Sequence, residues 1–233
     1  MKAVLLGAIG SAASVGLLYS SWIQDWAPIP LMVMAYWQSG CFFEKPNLKL
    51  QRVFEGWDRG LFAFVESIGP ARRIAGAIAA ITETAYLLCY PVVPLGVIAL
   101  HLAGKADRIG MYWQVVLLSA YFCYALLPFV QLLPPRSVEP REAVAVKESA
   151  VRRFNLWITR HLSHNANTFP SGHVAASAAI ALVLLQYAPA VGILFSIIAL
   201  GISLGCIAGR YHYSVDVIAA LILAVTAFVI CIY

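Results

Sequence analysis

The chain has 233 residues, 61% hydrophobic and 12% charged, with a mean hydropathy of +0.80. That balance excludes a soluble globular domain and marks an integral membrane protein. The net charge of +5 does not point to nucleic acid, because the basic residues stand in loops between apolar runs; the expected partners are a lipid phosphate substrate and the bilayer.

In chain order, seven stretches are apolar enough to cross hydrocarbon, for which a helix needs roughly 20 residues. They lie near 3–22, 27–43, 77–100, 112–133, 172–188, 190–208 and 213–233. The first follows a single Lys2 and no small-residue cleavage site follows it, so it reads as an uncleaved helix. The second is interrupted by Pro28, Pro30 and Gln38 and suits a half-helix or re-entrant element, which leaves six or seven spans. Between the second and third runs, Leu50, Val53, Phe54, Trp57, Leu61 and Phe64 recur at helical spacing while Lys49, Arg52, Asp58 and Arg59 fall elsewhere. This predicts an amphipathic helix lying in the membrane interface. The expected fold is all-α: an integral membrane helical bundle with six or seven transmembrane helices and one interfacial helix. It forms a single domain over 1–233, with N-terminal helices and the amphipathic segment in 1–76 and a catalytic core in 77–233. The five cysteines stand singly with no metal-ligand spacing and read as small core residues.

Two polar clusters open apolar runs: Pro170-Ser171-Gly172-His173, and Arg210-Tyr211-His212-Tyr213-Ser214-Val215-Asp216. Ionisable groups at membrane depth are costly and point to function. Because chain direction alternates with each crossing, both clusters and the basic loop 134–170 fall on one face. Glu83, in the third run, shares a helical stripe with Tyr86 and Tyr90 and reaches toward the same face. Ser171 and Gly172 open a helix whose unpaired amides and dipole suit an anion. His173, in the first turn, is placed to protonate a leaving oxygen. A serine cap beside an incidental histidine is the structural alternative. His212 and Asp216, four apart, share a face if helical, so the carboxylate can orient the imidazole as nucleophile or base. Arg210 is either a fork for phosphate oxygens or an interface anchor.

These two clusters resemble the second and third signatures of the type 2 phosphatidic acid phosphatase superfamily, which also holds vanadium haloperoxidases and sphingolipid synthases. The resemblance covers roughly the C-terminal 100 residues. It implies that His212 attacks phosphorus to form a phosphohistidine, that Asp216 orients it, and that His173 protonates the departing alcohol. Ser171, the Gly172 amide, Arg136 and Arg210 would hold the equatorial oxygens. The chain departs from the family pattern where Cys206 stands in place of the usual arginine of the third signature, and it has no match to the first. Pro134-Pro135-Arg136 resembles the variant in the sphingolipid synthase-like branch, with Arg152 or Arg153 as substitutes for Arg136. Glu83 has no place in the signatures, and pairing with one of these arginines is its structural alternative. No cofactor and no metal are implied, since no carboxylate cluster stands ready for a divalent ion.

The expected function is metal-independent removal of phosphate from a lipid phosphomonoester or diphosphate. A headgroup phosphotransferase of the sphingolipid synthase type and a non-catalytic transporter or scaffold are the alternatives. Every Lys and Arg except Lys105 and Arg108 falls on the active-site side in the seven-span reading, which by the positive-inside rule favours a cytoplasmic site. The resemblance implies the periplasmic or lumenal face, in a bacterial inner membrane, and that is the expectation adopted.

Overall fold

The computed structural model describes Gly7 and residues 21–68, 81–138, 149–164 and 166–233. Most of the first apolar run, and Arg141 and Lys147 of the basic loop, lie outside the described residues. Among the described residues the fold is all-helical, with one isolated bridge between Leu132 and Asn167. The helices are α1 Ser21–Trp26, α2 Pro28–Gly40, α3 Leu48–Ile68, α4 Ile81–Leu87, α5 Val92–Leu102, α6 Ile109–Leu126, α7 Ala150–Leu162, α8 Gly172–Tyr187, α9 Pro189–Ala208 and α10 Ser214–Ile232.

Three helices among the described residues are long and apolar enough to cross a membrane: Ala106–Leu126, which extends α6 through a 3-10 turn, α9 and α10. The bent pair α4–α5 makes a fourth if it is counted as one span. On the outside of α9, Ile193, Ile197, Leu200 and Leu204 are exposed. On α10 the exposed residues include Ile218, Ile222, Val225 and Val229. A soluble protein would put charge there, so these stripes mark a membrane protein.

At the centre stands α8. Ser171 caps it, its side chain accepting from the Val174 amide. Its alanines let α9, α6, α10 and α5 pack around it, so it is buried on nearly every side. The 16 residues of α8 and the 13 of α2 fall short of a full crossing at 1.5 Å per residue.

The structure corrects the third apolar run. Expected as one helix over 77–100, it breaks between Leu87 and Val92, and α4 and α5 meet at 72°. Pro91 and Pro94 explain the break: each lacks an amide donor, and its ring crowds the preceding turn. The stripe linking Glu83, Tyr86 and Tyr90 is therefore interrupted before Tyr90. The fourth run likewise ends its helix at Leu126, ahead of Pro128.

A close helix contact fixes α4 in place. Gly201 and Gly205, four apart on α9, face Ala85, Thr82 and Tyr86, and small residues let the backbones approach. A Cβ on Gly205 would sit 2.4 Å from the Thr82 carbonyl oxygen and 3.0 Å from the Tyr86 Cβ. Gly205→Ala is therefore expected to cost about 1–3 kcal/mol of stability. The readout is a lowered unfolding midpoint in detergent, and an unchanged midpoint contradicts this packing.

Candidate active site

The turn from Gly209 to Tyr213, between α9 and α10, carries His212. The Cys206 carbonyl closes the turn by accepting the amides of Tyr211 (2.9 Å) and His212 (3.1 Å). Cys206, where the resemblance expects an arginine, is itself fully buried. His212 precedes the helix: α10 starts at Ser214, with Tyr213 as its cap and Asp216 in the third position. The two residues meet because Asp216 reaches back as a capping group, with no shared helical face between them. Asp216 Oδ2 accepts from the Tyr213 amide at 2.9 Å, from Asn167 Nδ2 at 2.9 Å and from His212 Nδ1 at 3.3 Å. With Nδ1 so engaged, Nε2 is the ring nitrogen left for chemistry.

Asn167 is a site residue that sequence reasoning missed. Its amide donates to the Leu132 carbonyl at 2.8 Å, tying the loop before α8 to the stretch that leads to Arg136. A buried asparagine beside a carboxylate has no periodicity or motif spacing of its own. Its place, four residues before Ser171, was the one available signal.

His173 stands opposite His212, with ring centroids 6.1 Å apart and the rings nearly perpendicular. The two imidazoles thus stand edge to face, and both border the same cavity. Tyr86 and Tyr90 each pack edge-on against His173 at 5.8 Å. Tyr86 in turn stacks on Tyr211 at 3.8 Å with the rings 3° from parallel. The Arg136 guanidinium lies 5.4 Å over the other partner, Tyr211, and donates to its carbonyl at 3.3 Å. The Arg136 amide donates to the Arg210 carbonyl at 3.0 Å.

His212, His173, Arg136, Tyr211 and Thr168 line one end of a cavity of about 670 Å³. Its other walls are apolar, from Ile29, Met32 and Val33 of α2, Leu87, Leu88 and Val93 of the α4–α5 elbow, and Phe154, Ile158 and Leu162 of α7. Tyr36 hydrogen-bonds Ser163 at 2.7 Å and the Trp37 indole donates to the Leu162 carbonyl at 3.0 Å, latching the ends of α2 and α7 together.

The remaining expected residues go elsewhere. Ser171 is fully buried; its amide donates to the Asp216 carbonyl at 3.1 Å and its hydroxyl caps Val174. Gly172 lies against Tyr124, where an added Cβ would stand 3.0 Å from the ring. Arg210 is ion-paired with Asp58 at 2.7 Å, and Arg153 is exposed on α7; neither lines the cavity. Arg152 is buried and ion-paired with Glu83. Glu83 also accepts from Asn155 Nδ2 at 2.8 Å and from the Tyr211 hydroxyl at 2.7 Å. Glu83 is thus a structural partner of Arg152 that anchors Tyr211, and it does not face the cavity. Among the described residues no three His, Cys, Asp or Glu side chains converge as metal ligands.

A family model described as the PAP2 superfamily matches residues 56–230. No curated protein and no solved structure matches the chain.

Burial, with the Arg136 charge adding to it, pushes the His212 imidazole down to about 3. Burial, with His173 adding to it, pushes His164 down to about 4. Both are neutral in the folded protein at pH 7. Unfolded, each titrates near 6.5, so the unfolded chain binds more protons below that pH. The stability contributed by these neutral histidines is fully present above pH 6.5 and is lost as pH falls toward 3 or 4. The unfolding midpoint should therefore fall between about pH 7.5 and about pH 4, and less steeply in His164→Phe. Equal slopes in the two proteins contradict a neutral buried His164. Independently, Glu83→Ala strands the buried Arg152 and is expected to cost about 3–5 kcal/mol, measured by chemical unfolding in detergent.

Proposed function

Since the chain belongs to the PAP2 superfamily, we propose that it hydrolyses a lipid phosphomonoester or diphosphate in the membrane through a phosphohistidine on His212. The observation that carries this reading is the cavity: two facing histidines and one arginine at one end, apolar walls along the rest. A phosphate with a hydrophobic tail is the ligand whose two parts match those two surfaces.

The steps follow from the roles of these side chains. The substrate phosphoryl group binds at the cavity end beside the two rings, with its oxygens on Arg136 and on the amides that open α8, among them that of Gly172. The lone pair of His212 Nε2 attacks phosphorus, and the bond from phosphorus to the ester oxygen breaks. His173, protonated once the anionic substrate is bound, gives that oxygen its proton, so the lipid leaves as a neutral alcohol. Water then attacks phosphorus while His173 takes a proton from it, and the bond from phosphorus to His212 Nε2 breaks. Inorganic phosphate departs and His212 returns to its neutral form. Asp216 steadies the positive charge that His212 acquires in the intermediate. The chain's own contribution is position and charge stabilisation, with no metal in the scheme.

The phosphate ligands proposed are Arg136 and the Gly172 amide; Ser171, hydrogen-bonded to the Asp216 carbonyl and the Val174 amide, caps the helix that presents it. Arg210 and Arg153 are left out, one because it is held by Asp58 and the other because it faces outward. Six spans, with α8 counted as a short one and α2 as a half-helix, are the proposed topology, with α3 in the interface, where Val53, Trp57 and Leu61 are exposed. The cavity end with the histidines is proposed to open at the periplasmic or lumenal face of a bacterial inner membrane. An impermeant reagent applied to intact cells tests this by labelling a cysteine introduced at Arg153.

His212→Ala is expected to reduce phosphate release to background while the protein stays folded. Full turnover in that variant removes the mechanism. Vanadate, which adopts the shape of the transferring phosphoryl group, is expected to inhibit the wild type, and complete insensitivity counts against it. Labelled phosphatidic acid and a polyprenyl diphosphate, each with and without an acceptor lipid, separate the chemistries. Free phosphate without acceptor means hydrolase, and label transfer that requires the acceptor means phosphotransferase.

A further inference from the structure

The amphipathic helix α3 has its polarity reversed relative to a soluble surface helix. Gln51, Phe54 and Asp58, at spacings of three and four, are 4%, 4% and 1% exposed. Val53, Trp57 and Leu61 are 45%, 54% and 37% exposed. A buried carboxylate and carboxamide on a helix whose tryptophan faces outward require strong inward partners. Those partners lie on the three chain segments that build the catalytic end.

Asp58 grips the nucleophile's turn from behind. Its Oδ2 accepts from Arg210 Nη1 at 2.7 Å, and its Oδ1 accepts from the Ser214 amide at 2.8 Å and the Ser214 hydroxyl at 2.6 Å. Arg210 and Ser214 bracket His212, two residues away on either side. Arg210 also holds a left-handed backbone at φ +60°, a conformation that needs outside support in a residue with a Cβ. One carboxylate therefore fixes both ends of the segment that aims His212. Gln51 does the same for the next segment: its carboxamide accepts from the Leu133 amide at 3.0 Å and donates to the Leu133 carbonyl at 3.3 Å, three residues before Arg136, and it donates to the Tyr213 hydroxyl. Phe54 packs edge-on against Tyr213 at 5.6 Å and against Phe169 at 5.3 Å, just ahead of the cap of α8.

We infer that Asp58 is a positioning residue for the transfer step, acting through Arg210 and Ser214 to hold His212 against Asp216 and across from His173. It does not touch the substrate. Arg210 is thereby a member of the brace, which is a different role from a phosphate ligand. The inference rests on the phosphohistidine reading for its kinetic consequence, while the geometric claim about His212 stands apart from it.

The experiment uses the full chain in detergent or proteoliposomes, with Asp58→Asn as the variant. Asparagine keeps an acceptor for Ser214 and removes the charge that holds Arg210. Two readouts are taken: phosphate release, and the rate at which diethyl pyrocarbonate acylates His212, measured by peptide mass spectrometry relative to the exposed His161. A positioning role predicts that kcat falls on the order of 10- to 100-fold while KM moves less than about twofold. It also predicts that His212 labelling accelerates several-fold relative to His161. Wild-type kcat together with wild-type labelling in folded Asp58→Asn overturns the inference, as does a change in KM alone. If the wild type shows no turnover on any phosphate, the phosphohistidine reading fails, and the labelling rate alone then decides the positioning role in either direction. Should Asp58→Asn fail to fold, Ser214→Ala, which keeps the carboxylate and removes one donor, is judged by the same two readouts.

Discussion

A carboxylate taken out of water must be surrounded by donors, and Glu83 meets that requirement with Arg152, Asn155 and the Tyr211 hydroxyl. Much of the catalytic end depends on this arrangement. Arg152 and Asn155 bring α7 against α4, which forms one wall of the cavity. The Tyr211 hydroxyl draws the turn after α9 onto Glu83 and leaves its ring stacked on Tyr86 and under Arg136. Tyr86 then packs on His173. His173, Arg136 and Tyr211, the neighbour of His212, all lie within three contacts of one buried carboxylate. Breaking such a pair leaves a charge with no solvent to receive it, so the arrangement resists partial rearrangement.

Charge pairing also decides which arginines can meet a phosphate. Arg210, Arg152 and Arg136 all lie close to the turn that bears His212, and in the sequence Arg136 is the preferred fork for phosphate oxygens, with Arg152 as a substitute and Arg210 as either a fork or an anchor. In the fold, Arg210 meets Asp58 and Arg152 meets Glu83, while Arg136 meets an aromatic face and a carbonyl. A guanidinium already matched to a carboxylate gains little by exchanging it for a phosphate. Among the described residues Arg136 is held by a ring and a carbonyl and by no carboxylate.

The apolar side of the site has a similar logic. The cavity is walled by short elements, with α2 too short to span, α4 set at 72° to α5, and α7 amphipathic and joined to the end of α2. Proline placement at Pro28, Pro91 and Pro94 breaks what would otherwise be long hydrophobic helices and leaves room beside the histidines. The bent backbone is tolerated because it lines a cavity within the protein.

How much of this could be read from the residues alone follows from the range of the forces involved. Hydrophobic runs, the two clusters and their placement at helix starts are local properties, and the all-helical membrane character and the family followed from them. The α3 helix was also legible as amphipathic, because its apolar spacing is local. The bend at Pro91 was written in the sequence as well, but a hydropathy window averages over it. Asn167, Asp58 and Gln51 carried no local mark of their roles, since each acts through partners 49 to 162 residues away along the chain.

By itself, then, the sequence determined the solvent, the helical class and the family, because these depend on composition and on spacings within one turn. Tertiary structure alone decided that His212 sits before its helix with Asp216 reaching back to it, and that Glu83 and Asp58 each consume an arginine. It also decided that Arg136 is the guanidinium at the cavity. The physical reason is that a buried charge is defined by whatever neutralises it, and the neutralising group arrives from a distant part of the chain only when the helices pack.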